Sequence, residues 1–395
     1  MSLAQLISWG SLYYTFSLLM PSIERELGLS RVQVSSAFSI ALLASGLAGL
    51  GVGQLIDRGH GRAVMVGGSL LAGTLLLAHA LIDGATGLYA VWAGLGVAMA
   101  CILYEPAFAI LIRRWPSDYR RALIAMTFLG GLASTVFIPL SALLIDGLGW
   151  RRACVALAAL HLAVCLPIHL SMLRNEPRRE RRADVAGRDG APARHAAPLR
   201  DDSLWRLART PAFLLISAFM ALLMALTAAL SAHMVPLLRE RGLPEAWALA
   251  VPASIGAMQV LGRLVLFVFE GRIDPRRFDR MVPLMLPCAL AVLLAGGASV
   301  TTALAFAACF GIGNGLITIV KATALAQYVD RERVAALNGL QSMPNALARA
   351  VGPVFLASLW AVTGTYDLGL WTLMAIGLLA VYLLSLAQRH AIAQP

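Results

Sequence analysis

Twelve apolar runs, separated by short charged segments, leave this chain of 395 residues few ways to fold. They are 3–21, 33–56, 63–82, 87–112, 120–145, 151–173, 211–235, 246–269, 281–300, 303–327, 336–361 and 367–388. Each run is long enough for a helix of ~20 residues to cross a bilayer core. The runs are continuous rather than alternating, which excludes a transmembrane β-barrel. Charged residues make up 13% of the chain and apolar residues 59%. A surface facing water carries about 25% charge, so the fold class expected is an all-α membrane protein with twelve transmembrane helices.

Between the sixth and seventh runs lies one long polar segment, 174–210, rich in Arg with Pro177, Pro192 and Pro198. Mixed charge and no apolar face make it a linker. The domains expected are therefore a six-helix bundle over 1–173, a linker over 174–210 and a second six-helix bundle over 211–395. Twenty-three Lys and Arg fall on the side of the termini and linker, and six on the other. By the positive-inside rule both termini are expected in the cytoplasm, as in a multi-pass protein of a bacterial inner membrane. The net charge of +11 follows these loops, so it marks topology and not a nucleic-acid groove. The five cysteines sit inside apolar runs without metal-ligand spacing, so neither a disulfide framework nor a metal site is expected. No cofactor motif is present. The start at Leu3 reads as the first spanning helix and lacks the basic n-region of a signal peptide. Trp92, Trp150, Trp247, Trp360 and Trp371 near one set of span ends, with Trp115 and Trp205 near the other, suit interfacial belts.

The halves echo each other. Pro139 and Pro353 are 214 residues apart, and Glu105 and Lys321 are 216 apart. Asp57–Arg58 has a weaker counterpart in Glu270 and Arg272. Parallel repeats of this kind place a solute site at their interface near mid-membrane. After the second span the chain reads G-V-G-Q-L-I-D-R-G-H-G-R, Gly51 to Arg62. This resembles the loop signature of the major facilitator superfamily, with Gly53, Asp57, Arg58, Gly61 and Arg62 matching in type and one residue extra. A second echo is G-W-R, Gly149 to Arg151. The resemblance covers the whole chain and implies two pseudo-symmetric bundles that rock about a central cavity. Asp57 and Arg58 then belong to a gating brace, and Gly53 to close helix packing. Gly130 and Gly131 precede Pro139 without the spacing of the superfamily's antiporter motif.

Four charges remain inside the spans: Glu105, Arg263, Lys321 and Arg349. Each costs ~2.5–3.5 kcal/mol at a helix centre, so each needs a partner or a wet cavity. By resemblance, spans four, eight, ten and eleven all reach that cavity. Arg263, with Gln259 one turn earlier, resembles the span-eight arginine of monocarboxylate transporters and oxalate/formate exchangers. Arg349 resembles the exchangers' basic residue in span eleven. The monocarboxylate carriers place an acid where Gln259 stands, so its proton role does not carry over. Two guanidiniums facing one cavity can hold carboxylates in bidentate fashion. Each also has a plainer role: Arg263 can snorkel or pair with Glu270, and Arg349 can snorkel. Glu105, before Pro106, can carry a proton, pair with Lys321 or cap local backbone. Tyr13, Tyr14 and Asn314 can hydrogen-bond a solute, although the glycines around Asn314 suit helix packing. His79, His161 and His169 suit packing; His233 is open to either role.

The function expected is secondary active transport of a small organic anion, a mono- or dicarboxylate, by a single copy of the chain, with protons as candidate partners. Proton-coupled efflux of drugs or metabolites is the alternative within the fold. A polytopic membrane enzyme is more distant, because no D-x-x-x-D, H-x-x-x-x-D or H-E-x-x-H cluster appears. ATP-driven transport by this chain would need a phosphate-binding loop that the sequence lacks.

Overall fold

A computed structural model describes residues 1–114, 126–172, 202–269, 274–297, 299–330 and 333–391. Among the described residues, twelve long helical rods follow one another. The first, α1, runs through Ser2–Trp9, a π turn at Gly10–Tyr14, and Phe16–Leu27. Then come α2, Arg31–Asp57, and α3, Gly61–His79. Rod α4 is broken into Ala85–Ile102 and Tyr104–Arg114. Rod α5 is described from 126 and includes Ala133–Leu148. Rod α6 joins Trp150–Leu160 to Leu166–Met172 through a π turn at His161–Cys165. The second set is α7, Pro211–Glu240; α8, Glu245–Phe269; and α9, Pro275–Ala295. It ends with α10, Val300–Tyr328; α11, Val334–Thr363; and α12, Asp367–Arg389. Among the described residues, ten helices are long and apolar enough to cross a membrane. Most of the segment expected as a linker lies outside the described residues, and its end forms a short helix, Asp202–Ala208.

Local chemistry marks the ends of the rods. Ser30 and Gln33 form a reciprocal capping box that starts α2. Thr210 caps α7 and Asp274 caps α9, each followed by proline in the first turn. Gly28 and Gly242 close the chain after α1 and α7 at φ +63° and +80°, and Gly149 and Gly364 do so after α5 and α11 at +78° and +73°. The members of each pair stand 214 and 215 residues apart, so the repeat extends to backbone conformations that glycine alone adopts readily.

Each half has its own apolar core. One draws on α1 to α6 with Ala228, Ala232 and Ala350 from the other half, and the second draws on α7 to α12. The halves meet where α2 packs on α11, α5 on α8 and α1 on α7. Small residues permit this: Gly46 faces Ala346, and Gly256 sits against the Gly131 carbonyl, Ser134 and Thr135. Thr135 Oγ1 donates to the Ala253 carbonyl at 2.6 Å and accepts from Ala257 N at 3.2 Å, tying α5 to α8.

Three sequence expectations change. A Cβ at Gly53 would meet nothing within 4 Å, so this glycine does not mediate close packing. Trp92 is 2% exposed and lies among Phe16, Phe38 and His79, so it is core rather than belt. Trp150 is also buried and donates to Glu26. Its neighbour Arg151 donates to Glu26 at 2.6 Å and to the Ala80 and Ile82 carbonyls at 2.8 Å. The G-W-R echo is thus a brace joining α1, α6 and the turn after α3. Arg151 and Trp150 hold the Glu26 carboxyl below the usual carboxylate range. Trp247, Trp371 and Trp205 are exposed as belts require, and Trp115 lies outside the described residues.

The glycine contacts make a paired prediction. A Cβ at Gly96 would overlap the Ala41 backbone of α2. Gly96→Ala should therefore lower the unfolding temperature in detergent, by overpacking of about 1–3 kcal/mol. Gly53→Ala should be neutral or mildly stabilising, since alanine gains helix propensity of up to ~1 kcal/mol there. Equal effects at the two positions would contradict the packing described.

Candidate functional site

Between the halves lies a narrow cavity lined by Tyr14 and Ser17 of α1, Ser134 of α5, Ser231 of α7, Gln259 of α8 and Asn314 of α10. Ile138, Met234 and Phe310 supply its apolar walls. Its volume is about 20 Å³, room for about one water molecule. Tyr14 and Gln259 line the cavity together, from opposite halves. Tyr14 belongs to the π turn of α1, a feature that recurs at functional sites. Tyr13 does not line the cavity; its ring packs against Trp9, Tyr14 and Phe38. Asn314 does line it. The glycines beside Asn314 pack as the sequence suggested, Gly313 on Met285 and Leu286, and Gly315 on the Gln259 backbone.

One turn beyond Gln259, Arg263 reaches across the interface. Its Nη1 donates to the Thr127 carbonyl of α5 and its Nε to the Gly315 carbonyl of α10, both at 3.3 Å. The guanidinium is half-buried and acts electrostatically on Tyr14 and Tyr104. Tyr104 also stacks near Trp9, with ring centroids 5.1 Å apart. Among the described residues the arginine therefore holds two carbonyls and no carboxylate. Glu270, its possible partner, lies outside the described residues.

Lys321 Nζ lies 3.3 Å from Met224 Sδ. Arg349 and Glu105 are the charges that act on it. Arg349 is half-buried on α11 and makes no hydrogen bond or ion pair among the described residues. Glu105 is exposed in the first turn of the second segment of α4. The break before it, at Leu103, follows from Pro106, which has no N–H to offer the preceding turn. Gln5 of α1 repairs the damage by donating to the Ile102 carbonyl at 2.6 Å. Glu105 and Lys321 do not pair in this conformation. Asp57 and Arg58 lie at the end of α2, away from the cavity; Arg58 is exposed.

Sequence reasoning missed the cluster that joins the halves on the face opposite the termini, here termed the far face. Arg31, at the start of α2, sits 3.7 Å over the Trp360 ring of α11. It donates to Glu24 at 3.2 Å and to the Tyr366 hydroxyl at 3.3 Å, and lies 3.7 Å from Glu240 of α7. Glu240 also accepts from Trp360 Nε1 at 2.6 Å and from Tyr366 N at 2.8 Å. Behind Tyr366 lies His233, fully buried, with its Nδ1 2.8 Å from the Tyr366 oxygen. This is a latch: one N-half cation held by an aromatic ring and carboxylates drawn from both halves. The other histidines pack as expected: His79 by Cys154 and Trp92, His161 on Ser11, His169 on Ser69.

A family model described as Major Facilitator Superfamily matches residues 1–353. Over 204 residues the chain is 32% identical to a Thermoproteus tenax protein described as an uncharacterized 38 kDa protein in a 23S RNA operon. That stretch is 51% of this chain and 50% of the other, so the chain spans about half the length of the curated relative it matches. Similar solved structures include a bacterial homolog of the human lysosomal transporter Spinster, inward-facing and occupied, at TM-score 0.73 and 15% identity, covering 100% of this chain and 97% of that one. The nucleoside transporter NupG aligns at TM-score 0.75 and 14% identity, over 98% of this chain and 96% of that one. A peptide transporter, POT, in complex with alafosfalin, aligns at 0.74 and 15%, over 99% and 94%. At these identities the likeness is one of fold.

The separation of Glu105 from Lys321 in a far-face-latched conformation predicts the converse. When the far face opens and the ends of α4 and α10 approach, the two should pair. Neutralising either alone should impair transport, since losing one partner of a buried pair costs ~3–5 kcal/mol. The swap Glu105→Lys with Lys321→Glu should recover part of the activity. A far-face-open structure with the two groups apart, each on separate partners, would refute this.

Proposed function

The chain belongs to the major facilitator superfamily, and from that premise we propose that it carries a small organic anion, a mono- or dicarboxylate, across the membrane by alternating access. The observation behind this reading is the charge carried inside the spans by α4, α8, α10 and α11, beside the cavity and not in its present lining. Three cations, Arg263, Lys321 and Arg349, face one acid, Glu105, and none of the three is ion-paired to a carboxylate among the described residues. Cations held away from water and carboxylates create a potential that attracts anions and repels cations. Arg263 is held in place by two carbonyls, which fixes its planar fork for bidentate contact with a carboxylate. Tyr14, Gln259 and Asn314 then supply hydrogen bonds to the remainder of the solute.

By the positive-inside rule the termini face is the cytoplasmic one, in a bacterial inner membrane, and the latched far face is external. The domain limits at 173 and 211 follow from the same loop pattern. Asp57 and Arg58 serve the gating brace between α2 and α3. A single copy is the working unit. The alternative of drug efflux finds some support in the aromatic rings of Tyr14 and Phe310 that line the cavity. A cavity for lipophilic cations would need a carboxylate at its heart, and here the lone acid stands opposite three cations.

Arg263→Ala and Arg349→Ala should each abolish uptake or exchange of carboxylates in proteoliposomes while the protein still expresses and folds. A bound carboxylate should also stabilise the purified protein, by about 2.7 kcal/mol at a hundredfold excess over its dissociation constant. Undiminished transport in both variants would remove the clamp. Preferred transport of lipophilic cations by the unaltered protein would remove the anion reading itself.

A further inference from the structure

Donor and acceptor counting at the latch fixes the protonation state of His233. This imidazole is fully buried in α7, and three groups surround it. The Pro353 carbonyl of α11 lies 3.0 Å from Nε2, with Ser35 Oγ of α2 at 3.3 Å from the same nitrogen. A carbonyl oxygen can only accept, so Nε2 carries a proton. The Tyr366 oxygen lies 2.8 Å from Nδ1. The other side-chain group within hydrogen-bond distance of that oxygen is Arg31 Nη1, at 3.3 Å, which can only donate. The hydroxyl proton of Tyr366 therefore has one acceptor among the described residues, the lone pair of Nδ1.

The chain of bonds runs one way: Arg31 donates to Tyr366, Tyr366 to His233, and His233 to Pro353. Every group in it is satisfied by a neutral imidazole. A second proton, on Nδ1, would point at the hydroxyl and leave the tyrosine proton without an acceptor. It would also set a second cation beside Arg31, the charge that already acts on His233. The carboxylates of this cluster, Glu24 and Glu240, are engaged with Arg31, Trp360 and the Tyr366 backbone and face away from the imidazole's own contacts. α11 offers His233 its Pro353 carbonyl, and α2 offers it Ser35.

We propose that His233 is a proton-binding site of the transport cycle: it takes a proton from the far side while the latch is open and must give that proton up for the latch to close. The proposal rests on alternating access and does not depend on the solute being an anion. Opening separates Arg31 and Ser35, in one half, from Tyr366, Pro353 and His233, in the other. The imidazole then meets water and can carry both protons. Closure restores the one-way chain and expels one of them. By linkage, acid on the far side favours the open latch with the stoichiometry of one proton.

The test reads the latch without any solute. Spin labels at Leu148 and Val362, exposed far-face positions in the two halves, report its opening in the full chain in lipid nanodiscs with the native cysteines replaced. On acidification from about pH 8 to 5 the closed population should fall, by up to about tenfold per pH unit within the titration, the limit for one proton. His233→Gln, which keeps a donor for Pro353 and an acceptor for Tyr366 but cannot take up a proton, should stay closed and lose this response. Tyr366→Phe removes the colliding hydroxyl proton and should flatten the response while keeping the imidazole. A closed population insensitive to pH in the unaltered protein would overturn the proposal. So would His233→Gln titrating like the unaltered protein, or, should that variant not fold, Tyr366→Phe titrating unchanged. A normal pH response in a protein that carboxylates fail to stabilise would leave the proton site standing and remove the anion reading alone.

Discussion

A polar group in the bilayer core has no water to fall back on, and this constraint accounts for the interior contacts of the structure. The broken helix α4 is tolerated because Gln5 donates to the Ile102 carbonyl at the gap. Arg263 spends its donors on the carbonyls of Thr127 and Gly315, in two other helices. Thr135 bonds backbone groups on α8, so the seam between α5 and α8 closes around small residues, with Ser134 Oγ beside it left without a partner among the described residues. Lys321, with a thioether for its partner, and Arg349, with none described, depart from the pattern. Both are cations, the groups that cost most to leave unpaired in a bilayer, and they mark where a mobile partner enters.

The repeat gives both halves the same scaffold and different charges. Glu26 and Glu240, 214 residues apart, both end the first helix of their half, and both accept from a tryptophan indole, Trp150 and Trp360. Glu26 uses this contact inside its own half, with Arg151 as its cation. Glu240 lies within reach of Arg31 from the opposite half. One carboxylate has thus become a brace and the other a latch. The same divergence separates Glu105 from Lys321, where equivalent positions carry opposite charge. Duplication supplied the geometry, and substitution of charge supplied the asymmetry that a transport cycle needs.

Much of the architecture was legible in the sequence because hydropathy reports directly on bilayer contact. The twelve rods, the echo between halves and the rare charges within spans all follow from residue type and spacing. What escaped depended on long-range pairing. Arg31 reads as a loop charge until α11 folds back to place Trp360 beneath it. His233 reads as a coin-toss until Pro353 and Tyr366 are seen on either side of it. Trp92 reads as a belt residue because position near a span end does not reveal which face of the helix it occupies. The π turns at Gly10–Tyr14 and His161–Cys165 have no sequence signature of their own, yet one sets the direction of Tyr14 and the other that of His161. Gly53 matched a motif, and its neighbourhood proved open.

Cavity and latch share α7, and the latch also meets the turn of α11 that carries Arg349, which bears on how solute and gate communicate. On α7, Ser231 and Met234 line the cavity while His233 between them turns into the latch. On α11, Arg349 and Pro353 are one turn, ~6 Å, apart. Pro353 offers its carbonyl to His233, and its missing N–H leaves the Arg349 carbonyl without a helical donor. The turn that carries Arg349 is therefore also the turn where α11 bends most cheaply, and its far end is the acceptor that closure requires. A solute that drew the Arg349 side chain toward the cavity would act on this turn directly. Displacing the Pro353 carbonyl by even an ångström weakens the bond that anchors His233 to α11, because hydrogen bonds lose most of their strength beyond about 3.5 Å. Coupling of this kind needs no long pathway; it needs only that residues of the two sites follow one another on the same turns of α7 and α11.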